Sequence, residues 1–382
     1  MTNIIELSEK IDWSFFESLH IASDSSENNN VLLMGGTGFL GIHLLKDLLK
    51  NNMVYVLVRA DNIEHGMKRI EEQATKYKIK LDTTNLKIVL GDISKKNLGI
   101  NDFEYHALSK LIHKVINLAS KISASATLES VMETNVSPQY EVIRFASLNK
   151  KKEIHFASTL SVFVSSSVNS GTFYEKELDK NYTEIYGGYA QSKVISEMIY
   201  QKAKEYLPVY VYRFGLLTGN TSNYLFPENN FFNEVVNSLK NLKEYPEVYN
   251  ESTSVDITPV DKASNIMYNI INSDKKDKII FHIASITSTT LKEFIVELNM
   301  EKTKNDIIHD KVNAIDGIKK VLLYYTFFKN EALEKYKKYY NFDLYQSTNC
   351  IYDMTNTSIV VDEKNLITKD NDLLKAYLRN VK

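Results

Sequence analysis

One tract constrains the fold of this chain more than any other. Residues 31–41 read VLLMGGTGFLG, an apolar run that ends in glycines and passes into FLGIHLLKDLLKN, where apolar residues recur at 40, 44, 45, 48 and 49. A fully apolar run of that length suits a strand buried on both faces of a parallel sheet. The recurrence after it suits a helix. Gly35, Gly38 and Gly41 fall in a GxxGxxG spacing. Such glycines let the backbone turn tightly and lie against a pyrophosphate, and the following helix offers free N–H groups and a positive dipole end to that anion. A plain glycine turn would meet the spacing alone. The strand before it and the helix after it make dinucleotide binding the expectation, with Gly35, Thr37, Gly38, Phe39, Leu40 and Gly41 as the contacts.

The alternation continues along the chain. Met53–Val58, LKIVLGD (86–92), KVINLAS (114–120), EIHFAST (153–159) and PVYVYRFG (208–215) read as strands, and 64–77, 127–149 and 188–206 as helices. Strand–helix–strand alternation of this kind predicts an α/β fold with a doubly wound parallel sheet, to which IIFHIAS (279–285) adds a strand. The regions 216–262 and beyond about 286 lose the alternation and hold Lys/Tyr-rich helices such as KNEALEKYKKYYNF. They are expected to build a smaller, mostly helical substrate lobe. The expected division is a leader and linker over 1–30, with SDSSENNN (23–30) as the linker, a Rossmann domain over 31–290 that lends 216–262 to the lobe, and a C-terminal lobe over 291–382.

Composition removes other classes of function. A net charge of −2 gives no support for a nucleic-acid partner. The single cysteine, Cys350, rules out an internal disulfide and a multi-Cys metal site, and the eight histidines show no HExxH spacing, so no metal is expected. No apolar run approaches a membrane span, and MTNIIELSEKIDW lacks a basic-then-apolar signal pattern. A cytoplasmic protein without a membrane partner is expected.

The second strand indicates which dinucleotide. It runs into Arg59, and Arg69 follows ten residues later on the expected helix. The chain has only five arginines, and two guanidinium groups on one phosphate dianion make a strong charge-assisted arrangement. NADPH is therefore expected, with Asp61 as the acid that would instead select NAD. Asp92, at the end of the third strand, is placed either to contact adenine or to serve as a turn residue. Ile93, Ala119 and Gly215 complete the expected cofactor contacts.

The GxxGxxG spacing with Thr37 inside it resembles the extended short-chain dehydrogenase/reductase superfamily. That resemblance implies a tyrosine acid with a lysine one helical turn later, on the same face. A phenol titrates near pH ~10, and a neighbouring ammonium lowers that value. With 24 tyrosines and 41 lysines, chance alone yields several YxxxK matches: Tyr189/Lys193, Tyr200/Lys204 and Tyr325/Lys329. Tyr189 follows Gly187-Gly188 at a helix start, thirty residues after a strand ending in Ser158-Thr159, and is taken as the acid. Thr159, at the carboxyl edge of that strand, is taken as the hydroxyl donor to a developing oxyanion, and Lys193 serves both catalysis and the nicotinamide ribose.

With those residues in place the chain resembles the thioester reductase family, the terminal reductase domains of nonribosomal peptide and polyketide synthases and of carboxylic acid reductases. The matching tracts are GGTGFLG (35–41), YVLVRA (55–60), IVLGDI (88–93), STLSV (158–162), GGYAQSK (187–193), RFGLLTG (213–219), VDITPVDKAS (255–264) and LYQSTNCIYDMTNT (344–357). Three positions depart from the family pattern. Met34 stands where Thr is usual, Phe214 replaces a Pro, and NVSPQ (135–139) interrupts NVxGT, where Asn135 would support the site. The resemblance implies reduction of an acyl or peptidyl thioester, carried on the phosphopantetheine arm of a carrier protein, to an aldehyde or onward to an alcohol. It also implies a monomer or a domain of a larger synthase, with the C-terminal lobe docking the carrier. Rival expectations are a sugar-nucleotide epimerase or dehydratase, a fatty acyl-CoA reductase, and a non-catalytic NADP-binding regulator.

Overall fold

A computed structural model describes residues 3–22, 30–123, 126–164, 171–178, 185–227, 230–249, 253–275, 277, 279–336 and 350–381, with the backbone alone at 164, 329, 330 and 333. Residues 23–29 of the linker expected over 23–30, and the LYQSTN stretch (344–349), lie outside the described residues, and Asn30 opens the first strand.

Seven parallel strands form the central sheet: β1 (Asn30–Met34), β2 (Met53–Val58), β3 (Leu86–Leu90), β4 (Lys114–Asn117), β5 (Glu153–Thr159), β6 (Val209–Phe214) and β7 (Ile280–Ile283), in the order β7-β6-β5-β4-β1-β2-β3. Successive side chains of a strand point to opposite faces. Val31 and Leu33 of β1 accordingly join one apolar layer and Leu32 and Met34 the other. The first layer is covered by α1 (Phe39–Leu48), α2 (Ile63–Lys76) and the helix Val260–Ile271. The second is covered by α3 (Asp102–Leu111), α4 (Ser137–Ser147) and α5 (Gly188–Ala203). Full burial of one aliphatic side chain is worth roughly 1.5–3 kcal/mol, so a sheet covered on both faces makes a stiff platform. The expected doubly wound α/β fold is borne out, as is the helical C-terminal region.

The segment expected as one helix over 127–149 differs. A short helix (Leu128–Val131) runs into a π-turn (Met132–Val136) and then into α4. Pro138 stands in the first turn of α4. It has no N–H to give the carbonyl four residues back, and its ring would clash there, so an unbroken α-helix through this point is disfavoured.

A third apolar cluster forms the lobe, with Phe232, Val236, Phe294, Leu322, Leu374 and Tyr377 in its core. The chain does not stay in that lobe. Cys350–Tyr352 pairs in parallel with Gly171–Phe173, Met354, Val361, Leu366 and Ile367 pack into the layer that holds α1, and Ser285 bridges to Ile367. At the other end, the helices Ile4–Ser8 and Ser14–Glu17 bury Ile4, Leu7, Phe15 and Phe16 in the layer that holds α5.

Candidate active site

The chain leaves β1 towards β2 and β3, and leaves β4 towards β5, so the strand order reverses between β1 and β4. Ligands of open α/β sheets bind in the crevice at the carboxyl ends of such a pair. The glycine loop lies there. Gly35 has φ +84°, and a Cβ on it would sit 2.9 Å from the Ala119 nitrogen at the end of β4. A Cβ on Gly41 would sit 2.0 Å from the Gly35 carbonyl oxygen. Gly38 donates its N–H to that carbonyl at 2.9 Å and caps α1 with no side-chain bond. The first N–H groups of α1, at Phe39, Leu40 and Gly41, have no partner within the helix, and among the described residues no side chain caps them. This uncapped end fits a dinucleotide pyrophosphate. Phe39 turns its ring against His43 and Tyr77, with centroids 5.3 and 5.0 Å away, leaving its backbone to the anion. Thr37 is half-buried within the loop, and Met34 is fully buried in the core.

Two arginines stand beyond β2. Arg59 is exposed directly after the strand, and Nη1 of Arg69, on α2, donates to the Arg59 carbonyl. That bond brings the two residues together. Asp61 is almost wholly exposed, with His65 Nδ1 3.6 Å away. Asp92 shows its turn role: one oxygen accepts the Ser94 N–H at 3.0 Å and the Ser94 hydroxyl at 2.7 Å. Burial pushes this carboxyl up, but the Ser94 bonds and the Arg59 charge outweigh it and hold it below the usual carboxylate range. Ile93 follows, half-buried. The Ala119 N–H is taken by Asn117 Oδ1 at 3.1 Å. Gly215 has a local reason for lacking a side chain: a Cβ would meet Oδ2 of buried Asp256 at 1.8 Å.

The glycine pair before Tyr189 sets its position. Gly187 has φ +75°, and Gly188 donates to the Ala126 carbonyl at 3.0 Å, where a Cβ would lie 2.3 Å from the Thr127 carbonyl carbon. Tyr189 and Lys193 then share a face of α5, with the ammonium 5.8 Å from the centre of the Tyr189 ring. Lys193 Nζ donates to the Ala157 carbonyl of β5 at 2.8 Å and lies 4.7 Å from the centre of the Phe156 ring. Burial pushes the amine down to about 7, against the opposing pull of the Glu197 carboxylate. Two residues beyond Ala157, Thr159 ends β5, its hydroxyl 2.8 Å from that of Ser161. Ser158 points to the other face and donates to Glu197.

The other two tyrosine–lysine pairs do different work. Tyr200 is fully buried and donates to Gln139 Oε1 at 2.6 Å, while its Lys204 pairs with Glu177 at the surface. Tyr325 is buried in the lobe and donates to the Ala332 carbonyl at 3.0 Å.

Residues 33–267 match the model of an NAD-binding family described as male sterility protein. The chain belongs to that family. The expected kinship with synthase reductase domains is borne out as well. A linear gramicidin synthase polypeptide of Brevibacillus parabrevis is 27% identical over 281 residues, which is 72% of this chain and 6% of that protein. The chain spans between 6% and 28% of the length of the curated relatives it matches first. Among solved structures, the terminal R domain from the myxalamid PKS-NRPS biosynthetic pathway superposes with a TM-score of 0.82 at 21% identity, covering 99% of this chain and 97% of that one. A thiolation-reductase di-domain from an archaeal nonribosomal peptide synthetase superposes with a TM-score of 0.72 at 21% identity, over 98% of this chain and 79% of that one. These superpositions establish the fold. No helix of the described residues is long and apolar enough to cross a membrane.

This member of the male sterility family holds its site with residues to which sequence alone gave no firm role. Asn135, in the π-turn, accepts the Lys121 N–H at 2.8 Å and donates to the Lys121 carbonyl and the Ser192 hydroxyl, each at 3.1 Å. It thereby clamps the loop after β4 to the turn of α5 that carries Lys193. Glu197 and Arg213 form a buried ion pair behind β5. Their only sequence signals were the spacing of Glu197 one turn after Lys193 and the rarity of arginine.

Proposed function

We propose that the chain is an NADPH-dependent reductase of carrier-bound acyl or peptidyl thioesters, acting in the cytoplasm and releasing an aldehyde. The observation that carries this reading is the docking of Lys193 on the Ala157 carbonyl. It holds Tyr189, one turn earlier, beside the strand that ends in Thr159, in the same sheet whose β1–β4 crevice carries the uncapped glycine loop. When bound, the dinucleotide supplies the hydride to the thioester carbonyl carbon. The carbonyl oxygen then gains charge, and the Thr159 hydroxyl donates a hydrogen bond to it while Tyr189 gives it the phenolic proton. An ammonium carries three donors. Lys193 uses one on Ala157 and offers the others to the ribose hydroxyls, and its charge eases loss of the phenolic proton. The C–S bond of the resulting thiohemiacetal breaks, returning the carrier thiol and the aldehyde; a second round would give the alcohol.

The choice of NADPH over NADH is supported by Arg59 and Arg69, tied together beside the end of β2. A carrier protein as acyl donor is supported by the di-domain in which a thiolation unit adjoins a reductase of this fold. The test is NADPH consumption with a panel of acyl-CoA and carrier-bound thioesters, with the product trapped as aldehyde or alcohol. Tyr189→Phe should lower turnover about 100-fold or more while NADPH still binds. Wild-type turnover in that variant would sink the mechanism.

A further inference from the structure

One turn beyond Lys193, Glu197 is 1% exposed, and Arg213, on β6, is 0% exposed. Nε of Arg213 lies 3.1 and 3.2 Å from the two carboxylate oxygens, and Nη2 lies 2.7 Å from Oε2. Nη1 donates to the Lys176 carbonyl at 3.0 Å and lies 3.4 Å from Nε2 of His282 on β7. The Phe163 ring covers the guanidinium at 4.7 Å. On its other side, Oε1 of Glu197 accepts the Ser158 hydroxyl. Ser158 stands between Ala157, whose carbonyl holds the Lys193 ammonium, and Thr159. A buried ion pair is a weak source of stability, because desolvation consumes most of the attraction. Its position against Lys193 gives it another use.

Among the described residues, few titratable groups face Lys193. Its own helix supplies Tyr189 and Glu197, β6 supplies Arg213, and β7 supplies His282 behind Arg213. β5 contributes the hydroxyls of Ser158 and Thr159, with Glu153 and His155 towards its opposite end. Glu133 on the π-turn, Glu129 on the helix before it and Glu6 on the N-terminal helix are exposed, and α4 adds Glu141 and Arg144 on its outer side. Among the described residues Lys193 makes no ion pair at contact distance, and Glu197 is the charge that bears on it.

We propose that Glu197 is a positioning residue for the Tyr189–Lys193 pair: from one turn away its carboxylate keeps the Lys193 amine in the ammonium form, Arg213 holds that carboxylate in place, and Ser158 ties it to the strand end that carries Thr159. The catalytic consequence rests on the reductase reading; the charge relation between Glu197 and Lys193 does not. In a low-dielectric interior a carboxylate one turn away acts strongly on an amine that burial is driving towards neutrality.

The test is an NMR titration of lysine-labelled, cofactor-free protein, with the Lys193 signal identified by its loss in Lys193→Met. The wild-type signal should turn over near pH 7, set by an amine pushed down to about 7. Glu197→Gln should lower that midpoint by about 1–3 pH units. Because Glu197→Gln leaves a buried guanidinium unpaired, a second protein, Glu197→Gln with Arg213→Met, removes both charges and should show a smaller fall in the same direction. A midpoint unmoved in either folded protein overturns the inference. Turnover needs the ammonium, so its alkaline limb should move to lower pH along with the midpoint. Since the midpoints are read without cofactor or substrate, failure of the reductase reading would leave them as stated.

Discussion

Arg59 and Arg69 are where a single side chain should change the choice of dinucleotide. Hydrogen bonds to charged groups contribute roughly 1.5–3 kcal/mol, so Arg59→Ala should weaken NADPH binding about 10- to 100-fold and leave NADH nearly unaffected. Equal weakening of both, in fluorescence titrations of the two cofactors, would remove the NADPH assignment. The rarity of arginine made this pair visible in the sequence. The same rarity covered Arg213, but no local pattern said that its guanidinium turns inward to Glu197, because that depends on the register of β6 against β5. Asp92 shows the limit from the other side. Both of its expected roles fitted the sequence, and only the bonds from Ser94 display the turn role.

Among the elements, the glycine loop and α5 were legible because each carries its own punctuation. Gly35 and Gly41 are demanded by backbone atoms of the loop itself and of Leu118 and Ala119 just after β4, so a substitution there has nowhere to relax. Gly41→Ala should cost about 1–3 kcal/mol through overpacking and weaken dinucleotide binding in parallel, read as an earlier urea midpoint and a weaker titration. Wild-type values for both would mean that the loop tolerates a wider turn than its geometry shows. The buried strands were readable for a similar reason: the run MVYVLV is apolar on both faces and matches β2 residue for residue, and EIHFAST likewise matches the bounds of β5. The π-turn was not readable. Apolar periodicity carries through 127–149, and Pro138 signals a break without saying what replaces the α-helix. Its product is Asn135, brought within reach of both Lys121 and Ser192.

For the whole molecule, Glu175 joins parts that are far apart in the chain. Its carboxylate accepts the His282 N–H at 2.6 Å, the Asn356 N–H at 2.5 Å, and the Thr357 N–H and hydroxyl at 3.2 and 2.6 Å. Burial pushes this carboxyl up to about 7 despite those donors. A carboxyl raised on folding adds stability that is fully present below its unfolded pKa of about 4.3. That stability is lost as pH rises through the folded value. The stability that the wild type holds over Glu175→Gln should therefore decline between about pH 4.3 and 7, read as the difference between their unfolding midpoints across that window. A difference that rises over the same window would show that the hydrogen bonds overcome the burial. None of this could be read from the sequence, since contacts across more than a hundred residues leave no local pattern.

The return of residues 350–367 to the sheet, before Leu374 and Tyr377 enter the lobe, has a mechanical consequence. The peptide laces the two bodies together, as a thread passes back and forth through cloth. Cutting one stitch leaves the seam closed, so a nick in any one crossover should yield fragments that stay associated and co-elute rather than two separable halves.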